Sequence, residues 1–145
     1  MRALIQRVSQ ASVTIDNHLH GQIGPGILLL LGVQRGDDRA AADKLLNKVL
    51  AYRIFNDSDA KMNLSLTQTG GGLLIVSQFT LAADTGKGLR PGFSSAASPA
   101  HGEALYDYFV TQARSSRVPL ATGQFGADML VALVNDGPVT FMLES

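Results

Sequence analysis

The sequence contains no cysteine, which excludes disulfides and thiolate chemistry and fits a reducing compartment. It also lacks any excess of charge: twelve Lys and Arg balance twelve Asp and Glu, and the pI is near 6.8. A broad electrostatic grip on nucleic acid is therefore not expected, although a local basic patch stays open. No apolar run approaches the ~20 residues that span a bilayer. The start, Met1-Arg2-Ala3-Leu4-Ile5-Gln6-Arg7, has charge inside its apolar pattern and no long apolar core, so it does not read as a signal peptide. No membrane association and a cytoplasmic location are the expectations. Histidine is scarce too. His18 and His20 would share a strand face with only Asp16 beside them, which favours a solvated hairpin over a metal site. His101 falls in the first turn of an expected helix. No base stands near Ser77 or Thr80 in the sequence, so the chain does not read as a triad hydrolase, and no metal or cofactor is expected.

What is present is a hydrophobic chain of 145 residues, 46% apolar and 17% charged, which reads as one domain, residues 1–145, with a real core. Its most informative stretch is Gly70 to Asp84, GGGLLIVSQFTLAAD. Three glycines lead into Leu73-Leu74-Ile75-Val76, a short run ending in β-branched residues, and this pattern predicts a buried strand. The strand is expected to continue through Leu81, with Ser77, Phe79 and Leu81 on one face and Gln78 and Thr80 on the other. Hydrogen-bonding groups where a buried strand runs out suit a binding site, and they equally suit an ordinary strand end.

Around that strand the pattern predicts strands at 3–8 and 12–15, interrupted near Ser9-Gln10-Ala11. A turn at Asp16-Asn17 then gives a returning arm at 18–22. The glycines at 21, 24 and 26 precede a strand rather than a helix, so they read as turns and not as a phosphate loop. Ile27 to Leu31 reads as a strand buried on both faces. Asp37 and Asp38 open an amphipathic helix over about 38–54, spaced by Leu45, Leu46, Val49, Leu50 and Arg53. Asn56 to Ala60 is a polar turn, and Lys61 to Leu64 is ambiguous. Residues 83–97 form a loop in which Lys87 and Arg90 suit phosphate contact or are incidental solvated charge. Ser98-Pro99 caps a second helix ending near Arg114. Strands follow at 118–122, 129–134 and 139–143, the last two joined by Asn135-Asp136-Gly137-Pro138, which alone reads as a tight turn. The class is α+β: a mixed or antiparallel sheet with two main helices.

Ser77-Gln78-Phe79-Thr80-Leu81 followed by Asn135-Asp136-Gly137-Pro138-Val139-Thr140 resembles the D-aminoacyl-tRNA deacylase family. Gln6-Arg7-Val8, Ala11 to Thr14, Tyr52 to Phe55 and Lys61 to Leu64 resemble its segments as well. The departures are Gly92, where serine is expected, and Ala60, where glycine commonly stands. The resemblance implies a barrel-like sheet and a homodimer with active sites at the subunit interface. It implies hydrolysis of the ester between a D-amino acid and the 3′ acceptor end of tRNA, with no cofactor. Gln78, Phe79 and Thr80 would be the catalytic segment. Ser77, Gly137 and Pro138 would bind substrate and select chirality, with a cis peptide bond before Pro138. Arg7 would support the Gly137-Pro138 carbonyls, and Lys87 and Arg90 would touch RNA. The family's chemistry implies assistance from the terminal 2′-hydroxyl, with backbone N–H donors near Gln78 to Thr80 for the oxyanion; Thr80 as nucleophile is the second mechanism. The alternatives are a related deacylase for a small L-aminoacyl-tRNA and a non-catalytic dimeric RNA-binding module.

Overall fold

A long first strand, β1 (Arg2–Ile15), organises the sheet of the computed structural model, which describes residues 1–145. One edge of β1 pairs first with β3 (Gly26–Gly32) and then with β2 (His18–Ile23), both antiparallel. The other edge pairs with the last strand, β8 (Leu130–Glu144). Between them in the chain come α1 (Arg39–Ala51), a small hairpin of β4 (Phe55–Asn56) and β5 (Met62–Leu64), and a single helical turn, α2 (Leu66–Thr69). There follow β6 (Gly72–Ser77), a 3-10 turn over Phe79–Ala82, α3 (Pro99–Ser115) and β7 (Leu120–Thr122). The strand order is β2-β1-β3-β6-β7, with β8 beside β1. The β3–β6 and β6–β7 pairs are parallel, so the sheet is mixed.

The sheet curls until its ends nearly meet. A side chain on Gly21 of β2 would come within 3.0 Å of the Thr122 carbonyl on β7, so the absence of one is what lets the two edges approach. Burial follows the strand period on both faces. Leu73 and Ile75 join the core beneath α1 and α3, with Ile27, Leu29, Leu45, Val49 and Phe109. Leu74 and Val76 point to the other side, with Val8, Val13 and Leu28, inside the curl. Complete burial of an aliphatic side chain such as Leu45 or Val49, both 0% exposed, stabilises by about 1.5–3 kcal/mol relative to leaving it in water.

Several expectations are corrected. Residues 2–15 form one strand rather than two, because the irregularity near Ser9 is absorbed as a bulge against β8. The strands expected at 129–134 and 139–143 are one strand, and Asn135 to Pro138 is a bulge within it. Gly21 lies within β2 and Gly26 begins β3, so close approach rather than turning explains them. The helix expected to reach 54 stops at Ala51; Arg53 lies beyond it and donates from Nε to the Asn63 carbonyl at 3.0 Å, tying the chain to β5. Two main helices were expected, and a third, short one adds to them: Ser65 and Gln68 form a reciprocal cap around Leu66–Thr69, and Gly70 ends it in the left-handed region.

Candidate active site

The strand β6 does not continue to Leu81. It ends at Ser77, and the chain tightens into the 3-10 turn. The expected alternation of Ser77, Phe79 and Leu81 against Gln78 and Thr80 is therefore broken. Instead the Gln78 amide donates to Thr80 Oγ1 at 2.5 Å, folding the two polar side chains onto one another. Ser77 and Gln78 are half-buried, while Phe79 and Thr80 are exposed. A 3-10 turn leaves its leading N–H groups without an internal acceptor, and Gln78 makes no side-chain cap, so the Phe79 and Thr80 N–H groups have no hydrogen-bond partner within the chain. The ring of Phe79 packs on Phe93 at 4.9 Å between centroids, which hinges the turn to the loop that follows. Lys87 and Arg90 are exposed on that loop and join no ion pair within the chain. Asp84 and Gly92 close the loop by a two-way backbone bridge at 2.7 and 2.9 Å. A side chain at Gly92 would meet nothing closer than 3.7 Å, so a serine Cβ would fit there without a clash.

The second cluster lies on β8. Val8 pairs with Asn135 and Gln6 with Thr140, so residues 136–139 stand opposite the single residue Arg7 and must leave the sheet. The Gly137–Pro138 peptide bond is cis, and Gly137 has φ near 150°. A side chain at 137 would come within 2.5 Å of Val139 Cγ2 and 3.3 Å of Arg7 Nη2. Arg7 is 8% exposed and grips the bulge from beneath. Its Nε donates to the Asp136 carbonyl at 2.8 Å and its Nη1 to the Ile54 carbonyl at 2.7 Å. The Asp136 carboxylate stands 3.7 Å from Arg7 Nε and supplies counter-charge. Asn135 clamps the other side: its Oδ1 accepts from Val139 N–H at 2.7 Å, and its Nδ2 donates to the Val139 carbonyl and to Thr140 Oγ1.

Asn135, Asp136, Ile54 and Phe93 were not expected to act in the site. Asn135 stands in the segment that carries the family resemblance and is a polar residue opening a Gly-Pro step, but neither signal gave it a role; the Ile54 carbonyl gave no signal. Ala60, the other departure, has φ near 59°, a left-handed conformation that favours glycine, and the Asp57 carboxylate steadies its turn by accepting from Asp59 and Lys61 N–H. Those backbone hydrogen bonds hold the Asp57 carboxyl below the usual carboxylate range, that from Lys61 being the largest cause.

Within one chain the two clusters do not meet. Register places Ser77 level with Leu31 and Ala3, whereas the bulge lies level with Arg7 and Ile27. Four residues along the strands and three strand spacings across separate them by roughly 20 Å of sheet. The outer edge of β8 has no strand partner, and Leu130, Val134 and Met142 on that strand are 72, 49 and 48% exposed.

The chain thus has a tight turn at the end of β6 and a braced Gly-Pro bulge on its open strand β8. The D-Tyr-tRNA(Tyr) deacylase family model matches residues 4–144, and the chain belongs to that family. It is 66% identical over 99% of both chains to the D-aminoacyl-tRNA deacylase of Aeromonas hydrophila, and 64% identical, at the same coverage, to that of Cellvibrio japonicus. Among solved structures it resembles a c-Myc DNA unwinding element binding protein, with TM-score 0.95 and 38% identity over 100% of this chain and 99% of that one. A probable eukaryotic D-amino acid tRNA deacylase shares the fold, with TM-score 0.85 at 19% identity over 99% and 98% of the two chains. No helix is long and apolar enough to cross a membrane.

Proposed function

We propose that this protein is an editing esterase that hydrolyses D-aminoacyl-tRNA, and glycyl-tRNA with it, in the cytoplasm as a homodimer. The observation that carries the reading is the Gly137–Pro138 bulge, a side-chain-poor piece of backbone held out of the sheet by Arg7 and Asn135. Carbonyls fixed in that way accept hydrogen bonds from a substrate ammonium, and rigid backbone beside them leaves no room for an L side chain. The bulge of one subunit completes the site at the Gln78–Thr80 turn of the other. The unpaired, partly apolar β8 supports this, since an open strand edge is a template for pairing with a second copy. At the turn, the unpaired N–H groups of Phe79 and Thr80 take the developing oxyanion, with Ser77 and Gln78 shaping the pocket floor. The vicinal 2′-hydroxyl of the terminal adenosine assists attack on the ester, so no protein base is needed; Lys87 and Arg90 receive the backbone phosphates of the acceptor end.

Exclusion of L side chains makes an unusual claim about glycine, which has no side chain to exclude. Deacylation of glycyl-, D-alanyl- and L-alanyl-tRNA at matched enzyme concentration should show turnover of the first two and sparing of the third. A glycyl-tRNA as resistant as L-alanyl-tRNA would mean that the D side chain is read positively. No turnover of any ester, with RNA still bound, would favour a binding module, and cleavage of the L ester alone a related deacylase. An active enzyme sedimenting as a monomer would remove the shared site.

A further inference from the structure

Strand pairing of β6 with β3 ends at Ser77 and Leu31, so other contacts must fix where Gln78–Thr80 stand. Gln78 N–H donates to the Leu31 carbonyl at 2.8 Å, and Ser95 Oγ donates to the Ala82 carbonyl at 2.5 Å. Between those two anchors, Arg2 Nη1 donates to the Leu81 carbonyl at 3.0 Å. This is the only one of the three donors that carries charge, and charge-assisted hydrogen bonds are about twice as strong as neutral ones. Packing adds a fourth restraint. At Gly32 the turn lies so close that a side chain would come within 2.8 Å of Leu81 Cβ and 3.2 Å of the Gln78 carbonyl. Neither is the loose end of a flexible side chain, so the turn itself would have to move.

These restraints share one rung of the sheet. Arg2 is the register partner of Gly32 on one side and of Glu144 on the other. Its Nε lies 2.9 Å from Glu144 Oε1 as an ionic contact rather than an aligned hydrogen bond. Glu144 therefore holds the guanidinium beside the closing residues of the turn, and Gly32 leaves the space into which the turn settles.

We infer that Arg2 is a positioning residue for the catalytic turn, holding Gln78–Thr80 in register through the Leu81 carbonyl over the gap left by Gly32. The inference rests on the proposed esterase reading for the turn's role, though not for its placement. Arg2 touches no reacting atom. It fixes the placement of the unpaired Phe79 and Thr80 N–H groups, so its loss lowers turnover more than it weakens substrate binding.

The test compares wild type with Arg2→Met, Arg2→Lys and Gly32→Ala by two readouts, D-aminoacyl-tRNA deacylation and amide hydrogen exchange. Loss of a charge-assisted bond in Arg2→Met should lower kcat roughly tenfold or more, with KM within about twofold. Exchange at Leu81 and Ala83, whose N–H groups bond the Gln78 and Thr80 carbonyls, should quicken while Leu29 and Ile75 in the neighbouring strands stay as protected as in wild type. Arg2→Lys should recover part of both effects, and Gly32→Ala should reproduce them through displacement. The inference is overturned if Arg2→Met keeps wild-type kcat, or if exchange quickens equally at Leu29 and Ile75, which would mark general destabilisation. A wild-type protein without turnover would end the esterase reading, and the exchange readout would then decide the placement of the turn alone.

Discussion

The bulge on β8 and the turn after β6 are both short irregular pieces attached to regular strands, yet they are built oppositely. The bulge is tied from beneath and from its flank: Arg7 holds the Asp136 carbonyl and joins it to Ile54, and Asn135 makes three bonds across the bulge's base. The turn is anchored at its head by the Gln78 N–H and at its end through the Leu81 and Ala82 carbonyls, while the Phe79 and Thr80 N–H groups between have no partner within the chain. One segment is a rigid obstacle whose side chains serve its own shape; the other is an open set of donors beside an exposed Thr80. Selection by exclusion needs the first kind of structure, because an obstacle that yields does not discriminate. Stabilising a developing charge needs the second, because the donors must stay unspent until the reaction calls on them.

The largest expected effect tests whether the turn supplies a nucleophile or only donors. With the terminal 2′-hydroxyl of the substrate replaced by hydrogen, deacylation should fall by roughly a thousandfold or more, whereas Thr80→Ala should stay within about tenfold of wild type. Thr80 Oγ1 already accepts from the Gln78 amide and is hydrogen-bonded to no carboxylate or imidazole of the chain. Single-turnover rates for the two cases decide it. A folded, substrate-binding Thr80→Ala enzyme without activity, beside normal turnover of the deoxy substrate, would make Thr80 the nucleophile and erase the contrast with the bulge.

A smaller effect tests the rigidity of the bulge. Arg7→Met removes a buried guanidinium from two backbone carbonyls, leaving both acceptors without their charged donor. Each such loss costs about 1–3 kcal/mol, so a destabilisation of about 3 kcal/mol is expected in the denaturant midpoint. The ratio of D-alanyl- to L-alanyl-tRNA cleavage should narrow at the same time, since the obstacle now gives. Unchanged discrimination in a destabilised Arg7→Met protein would show that Arg7 holds the fold together and not the selection.

The two regions also differ in how far the sequence disclosed them. The buried strand over Leu73–Val76 and both main helices were legible because apolar runs and caps are local signals, whereas the cis bond at Gly137–Pro138 was expected only through the family resemblance, its Asp-Gly-Pro step alone reading as a tight turn. The turn was not. Ser77-Gln78-Phe79-Thr80-Leu81 alternates polar and apolar as a strand does, and what bends it is the end of β3 and the tether from Arg2, residues more than forty positions away. The same limit hid the bulge inside β8: a break in hydrophobic pattern at Asn135–Pro138 looks like a connection unless Arg7 is known to lie opposite. Asn135 as a clamp depended on a loop geometry that only the pairing with β1 creates.

The smallest expected effect comes from a third place, which serves as the reference for the other two. Tyr106 of α3 donates its hydroxyl to the Ile75 carbonyl at 3.1 Å and approaches the Gly123 carbonyl at 3.4 Å, fastening the helix beneath β6 two residues before the strand ends. Its phenol is pushed up to about 12, first by burial and then by the charge of Asp107. A raised folded-state value means that the native protein favours the neutral phenol, so the stabilisation is fully present below the unfolded value near 10 and is lost as pH rises through about 12. Tyr106→Phe keeps the ring and removes the hydroxyl, so it should cost about 1 kcal/mol at neutral pH. The gap between wild type and Tyr106→Phe should then shrink between about pH 10 and 12, because only wild type has a phenol to ionise. Denaturant unfolding of both proteins across that range measures it. Turnover and the D-to-L ratio should be unchanged at neutral pH, since the hydroxyl touches neither the donors of the turn nor the carbonyls of the bulge. A fall in turnover comparable to that of Arg2→Met would mean that the end of β6 responds to any loosening of its support, and that the turn is no more specifically held than the strand it leaves.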